Sequence, residues 1–215
     1  MSEFMPAAPW PALRRQLVAI LRGITPDDIE AVGGALIEAG VEAIEVPLNS
    51  PDALKSIARL LRVAPPSLLV GAGTVLRAAE VEALANIGGR LVVSPNTDAA
   101  VLQAAAVRGM VAMPGVFTPS EAFLALRAGA SLLKFFPASV LGPAGIAAIR
   151  AVLPQDARIG VVGGVGTADF SAFMRVGVRV FGLGTSLYVP GRTAAEVGAQ
   201  ARAAVVAYDL AVTAG

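Results

Sequence analysis

Ala128-Gly129-Ala130-Ser131-Leu132-Leu133-Lys134-Phe135-Phe136-Pro137 carries the alternation from which the architecture follows. A helical segment ends at Ala128, a glycine stands where a left-handed residue is wanted, and a run of large apolar side chains begins at once. The run over 131–137 has no helical period and reads as a strand buried on both faces. The same punctuation recurs in Ala39-Gly40-Val41, Arg108-Gly109-Met110 and Val176-Gly177-Val178. Such short helix-to-strand loops force successive strands to be parallel, with helices crossing over between them.

On either side of this stretch the unit repeats. Strands are predicted over 17–21, 41–48, 68–75, 90–96, 110–116, 131–137, 157–165 and 179–187. Helices are predicted to start near Thr25, Pro51, Ala78, Asp98, Thr118, Pro143, Thr167 and Thr193. Thr25-Pro26-Asp27-Asp28 shows the signature of a helix start, a cap followed by a first-turn proline and acidic residues. Eight nearly continuous apolar strands suit an α/β fold closed into a (β/α)8 TIM barrel better than an open sheet with two edges. The expected organisation is a tail over 1–9 and one barrel domain over 10–215, with a short helix over 10–16 covering one end of the core. A doubly wound sheet would need a dinucleotide fingerprint in its first turn, and Leu21-Arg22-Gly23-Ile24-Thr25 has none.

Composition narrows the chemistry. The 215 residues are 55% hydrophobic, enough to bury one sizeable core. A net charge of +1 gives no general attraction to nucleic acid or to an anionic membrane surface. Charges, glycines and prolines interrupt the apolar runs well short of the ~20 residues that a membrane span needs. Residues 1–9 lack the basic segment and apolar core of a secretory signal, so the expectation is a cytoplasmic protein. With no cysteine and no histidine, disulfides, zinc sites built on either residue, and Ser-His or Cys-His machinery are excluded. The reaction must then run on lysine, carboxylates, arginine, hydroxyls, backbone or a bound cofactor.

Only Lys55 and Lys134 supply lysine among 17 basic residues, and Lys134 lies inside an apolar strand. An isolated ammonium is costly to bury. Either Lys134 reaches water from a strand end, or desolvation keeps its amine neutral and able to attack a carbonyl. Lys55, on the polar face of a helix, reads as a solvated charge. Glu45 in Ala43-Ile44-Glu45-Val46-Pro47 is a second charge within an apolar strand. It is either a salt-bridge partner of Arg22 or Lys134, or an acid/base beside the amine. Strand alternation puts Glu45 on one face with Ala43 and Pro47, and Lys134 on one face with Leu132 and Phe136.

Barrels place reactive groups at the C-terminal ends of strands. Those ends here carry Arg22, Asn49, Thr74, Ser94-Pro95-Asn96, Pro114-Gly115, Gly163-Gly164 and Gly184-Thr185-Ser186. Gly163-Gly164 and Gly182-Leu183-Gly184-Thr185 end the seventh and eighth strands, where backbone N–H groups and a following helix N-terminus can hold a phosphate. Arg22 is read as a ligand for a substrate carboxylate or phosphate, or as a rim salt bridge.

With these residues in view, the chain resembles the 2-keto-3-deoxy-6-phosphogluconate and -galactonate aldolases. The resemblance spans about 17–188 and rests on Ile44-Glu45-Val46, Gly71-Ala72-Gly73-Thr74-Val75-Leu76, Ser94-Pro95, Pro114-Gly115, Leu133-Lys134-Phe135-Phe136-Pro137-Ala138 and Gly163-Gly164, in order. It implies a cofactor-free Schiff-base enzyme in which Lys134 forms the imine and Glu45 moves protons. It further implies that Gly163, Gly164, Gly184 and Thr185 hold the phosphate, and that Arg22, Thr74, Asn49, Pro95, Asn96 and Phe136 line the substrate. The implied partners are pyruvate and a phosphorylated keto acid, and the implied assembly is a homotrimer. The gluconate branch usually reads Glu-Val-Thr-Leu-Arg and Ser-Pro-Gly. Glu45-Val46-Pro47-Leu48-Asn49 and Ser94-Pro95-Asn96 look like the galactonate branch. The rival readings are the gluconate epimer or 4-hydroxy-2-oxoglutarate as substrate, a sugar-phosphate isomerase with Glu45 as base, and a non-catalytic phosphate-binding module.

Overall fold

The computed structural model describes residues 5–213. The strands are β1 (Leu17–Ile20), β2 (Ala43–Pro47), β3 (Leu69–Gly73), β4 (Leu91–Val93), β5 (Val111–Met113), β6 (Gly115–Val116), β7 (Leu133–Phe135), β8 (Ile159–Val162) and β9 (Val180–Leu183). Between them run α1 (Ile29–Glu38), α2 (Ala53–Val63), α3 (Ala78–Asn86), α4 (Ala99–Val107), α5 (Pro119–Arg127), α6 (Ala138–Arg150) and α7 (Phe170–Arg175), with α8 (Ala194–Thr213) last.

All neighbours pair in parallel, in the order β5-β4-β3-β2-β1-β9-β8-β7-β6. The two ends of that order belong to one chain segment, 111–116, and so the sheet closes on itself. The fifth of the eight expected strands is therefore present but broken at Pro114, which has no N–H to donate. On one side of the break β5 pairs with β4, and on the other β6 pairs with β7.

Side-chain parity divides the core in two. Val18 and Ile20, Ala43, Leu69, Leu91 and Val93, Val111 and Met113, Leu132, Val162 and Val180 form one cluster inside the barrel. Their alternating neighbours, among them Ile44, Val70, Leu133, Phe135 and Phe181, join the helices in the outer cluster. Two buried faces explain why the strands read as unbroken apolar runs.

The expected helix stops are all in place. Gly40, Gly109, Gly129 and Gly177 each take a positive φ. Around Gly40, its own N–H meets the Ile37 carbonyl and the Val41 N–H meets that of Leu36. The same paired bonds recur at Gly109, Gly129 and Gly177, and they turn each chain end straight into the next strand.

The short helix expected over 10–16 is absent. Pro9 and Pro11 flank Trp10, and a residue preceding proline is pushed toward extended backbone. The segment instead runs extended beneath the barrel, and Trp10, only 4% exposed, seals the N-terminal end of the inner cluster. The Trp10 indole N–H donates to Gln16 Oε1 at 2.6 Å. Part of the presumed tail is docked as well: Ala8 bridges Val111 in parallel, and the Ala7 N–H meets the Gly129 carbonyl at 2.9 Å. The tail's first four residues, and the last two of the chain, lie outside the described residues.

Candidate active site

Both charged strand residues point into the barrel. Glu45 shares its face with Ala43, and Lys134 shares its face with Leu132; Ala43 and Leu132 belong to the inner cluster. Glu45 is 3% exposed and Lys134 5%. They stand on β2 and β7, on opposite arcs of the sheet order, and only closure of the sheet brings them into one mouth.

Burial dominates the electrostatics of both groups. It raises the Glu45 carboxyl to about 7, against the opposing pull of the Lys134 and Arg22 charges. It lowers the Lys134 amine to about 8; the Glu45 charge opposes this shift and the Arg22 charge assists it. Glu45 Oε2 is buried without a hydrogen-bond partner, and Lys134 Nζ lies 5.2 Å from the centroid of the Phe136 ring. An unpaired carboxylate oxygen beside a reduced-pKa amine is poised to take a proton from a third molecule.

Arg22, just past β1, is gathered with two other residues named from the sequence. Its guanidinium donates to Asn49 Oδ1 and, at 3.3 Å, to Thr74 Oγ1. Thr74 adopts φ +53, a backbone conformation uncommon for a non-glycine residue, at the end of β3. The Arg22 charge therefore stands over the mouth with its fork oriented by neighbours just past β2 and β3.

Around the rest of the rim the remaining residues are placed as follows. Pro95 is half-buried and Asn96 exposed after β4, and the Pro95 carbonyl sits where Gly115 leaves no room for a side chain. Phe136 links the amine to the β8 end, since a Cβ on Gly163 would lie 3.0 Å from its ring. Gly163 and Gly164 take consecutive left-handed φ values of +92 and +71, which no ordinary side chain would favour. The helix expected to present its N-terminus there is short, with a 3-10 turn over Thr167–Asp169 before α7. Asp169 already accepts the Gly166 N–H, so any anion held here rests mainly on the glycine turn. Gly184 and Thr185 follow β9 on the same side of the rim, Thr185 exposed. Among the described residues no hydrogen bond joins the Asn96 or Thr185 side chain to the other rim residues.

Two residues escaped the sequence reading. Ser50, buried behind Asn49, accepts the Gly23 N–H at 2.9 Å and ties the turn after β1 to the end of β2. Gly73 lies against the Glu45 carboxylate. Its signal was available, since Gly71 and Gly73 alternate on the strand paired with the one carrying Glu45. Among the described residues there is no cluster of three or more His, Cys, Asp or Glu side chains that could hold a metal.

A buried amine and a buried carboxylate in the C-terminal mouth of a closed parallel barrel define a class, the barrel aldolases that work through a lysine imine. The family model described as "Aldolase: KDPG and KHG aldolase" matches residues 12–199. The chain belongs to the KDPG and KHG aldolase family. It is 58% identical over 205 residues to a probable 2-dehydro-3-deoxy-6-phosphogalactonate aldolase of Rhizobium meliloti (strain 1021), covering 95% of this chain and 97% of that one. It is 45% identical over 196 residues to the 2-dehydro-3-deoxy-6-phosphogalactonate aldolase of Escherichia coli (strain K12), covering 91% and 96%. A solved structure described as native KDPGal superposes with a TM-score of 0.92 at 44% identity, covering 95% of this chain and 99% of that one.

Proposed function

We propose that this aldolase cleaves 2-dehydro-3-deoxy-6-phosphogalactonate to pyruvate and D-glyceraldehyde 3-phosphate, with Lys134 as the Schiff-base residue and Glu45 as the acid/base. The observation that carries the reading is the pair itself, an amine lowered and a carboxyl raised by burial in one mouth. The neutral Lys134 amine attacks the C2 ketone, and the carbinolamine loses water to give the iminium. Glu45 takes the C4 hydroxyl proton as the C3–C4 bond breaks; the aldehyde leaves and the bonding pair passes into the enamine. Protonation of C3 from Glu45 and hydrolysis of the iminium return pyruvate and the free amine. One water is released and one consumed.

Arg22, held by Asn49 and Thr74, takes the substrate carboxylate, and Pro95, Asn96 and Phe136 complete the wall around it. Gly163, Gly164, Gly184 and Thr185 take the phosphate. The galactonate epimer is favoured by the two relatives that carry its name, and by Asn49 and Asn96 at positions where the gluconate branch has arginine and glycine. We read the assembly as a cytoplasmic homotrimer. No helix among the described residues is long and apolar enough to cross a membrane, and Leu76 and Phe117 leave apolar surface near the mouth for a neighbouring subunit.

Borohydride reduction in the presence of pyruvate, followed by peptide mass spectrometry, is expected to show one adduct, on Lys134. Lys134→Ala should fold and be inactive, and the wild type should prefer the galactonate over the gluconate epimer in parallel assays. An adduct on Lys55, or none, would overturn the mechanism.

A further inference from the structure

Gly73 ends β3 opposite Pro47, two residues beyond the register at which Gly71 faces Glu45. Its φ is not among the positive values in the chain, so conformational freedom does not explain a glycine here. Space does. A Cβ at Gly73 would fall within the Glu45 side chain, 2.5 Å from Oε1, with Oε2 and Cδ closer still. The three nearest atoms all belong to that carboxylate. The adjacent inward glycine differs: a side chain at Gly71 would collide with the backbone carbonyl of Leu91, an ordinary packing constraint.

We propose that Gly73 is a positioning residue, whose missing side chain forms the slot that keeps the Glu45 carboxylate buried in the barrel mouth. A methyl group there leaves the carboxylate one way to go, up toward Arg22 and solvent, because Ala43 and the inner cluster close the space below. Solvation then removes the burial that raises the carboxyl, and the proton acceptor leaves the line of the reacting hydroxyl. The inference rests on Glu45 as the acid/base, and its test separates the two ideas.

Gly73→Ala is expected to keep the borohydride-trapped pyruvate adduct on Lys134 while kcat for cleavage falls about 10–100-fold, a modest share of what proton transfer supplies. Its acidic limb in kcat/KM should move to lower pH. In a Glu45→Gln background the same substitution should change kcat less than about twofold, because the group it acts through is gone. If Glu45→Gln itself retains full activity, the acid/base assignment fails. If Gly73→Ala slows Glu45→Gln as much as it slows the wild type, or leaves the wild-type pH profile in place, the positioning role fails. Should Gly73→Ala not fold, Glu45→Ala/Gly73→Ala decides: a soluble double variant, with a denaturation midpoint no lower than that of Glu45→Ala, supports the slot. An insoluble one overturns it.

Discussion

Lys134 must lose a proton to attack, and Glu45 must be ionised to accept one. Both groups are therefore activated by deprotonation, with the amine lowered to about 8 and the carboxyl raised to about 7. The two steps belong to the pair rather than to either residue. kcat/KM is expected to climb from about pH 6 to a plateau above about pH 9, one unit beyond the higher of the two values. In Glu45→Gln the amine loses the negative charge that holds its proton, so the remaining rise should shift to lower pH while kcat falls ~10²–10⁴-fold. A profile that is flat or descending across this range would contradict the arrangement. Both residues were legible in the string because each interrupts an apolar strand. The alternation of Gly71 and Gly73 signals a close approach to β3, but the role of Gly73 was not legible, because alternation does not say which atom needs the room.

The helix-glycine-strand junctions set the parallel order, and they act through backbone conformation. Gly109 tests this cleanly, since its φ is +63 and nothing lies within 4 Å of the position a Cβ would take. Gly109→Ala is expected to cost about 1–2 kcal/mol in chemical denaturation, with kcat unchanged. An unaffected midpoint would mean that the junction does not need the left-handed residue. Two elements depart from a regular reading for local reasons. Pro114 splits the fifth strand into β5 and β6. Gly142, at φ +63, followed by Pro143, divides α6 into a first turn and the main helix that was expected to start at Pro143.

The barrel is closed at its floor by a side chain from outside the eight repeats. Trp10 is the chain's single tryptophan and belongs to the inner cluster. Trp10→Ala should cost about 3–5 kcal/mol, as large core truncations do. In the wild type, tryptophan fluorescence should change together with the loss of circular dichroism, because the floor and the barrel open as one. Stability retained in the variant would show that the segment beneath the barrel is dispensable. Proline flanks made this segment a poor helix, yet its docking could not be read from periodicity, since a single inserted aromatic has no period.

Read as a string, the chain specifies parallel strands, crossover helices, their junctions, and which face of each strand carries Glu45 and Lys134. Those features depend on neighbours a few residues away and are written in glycine placement and apolar alternation. The convergence of residues as distant in sequence as Arg22, Glu45 and Lys134, the slot over Gly73 and the Trp10 floor were decided only by closure. Desolvation is what shifts the two ionisable groups, and neither group is desolvated until all the strands stand around it.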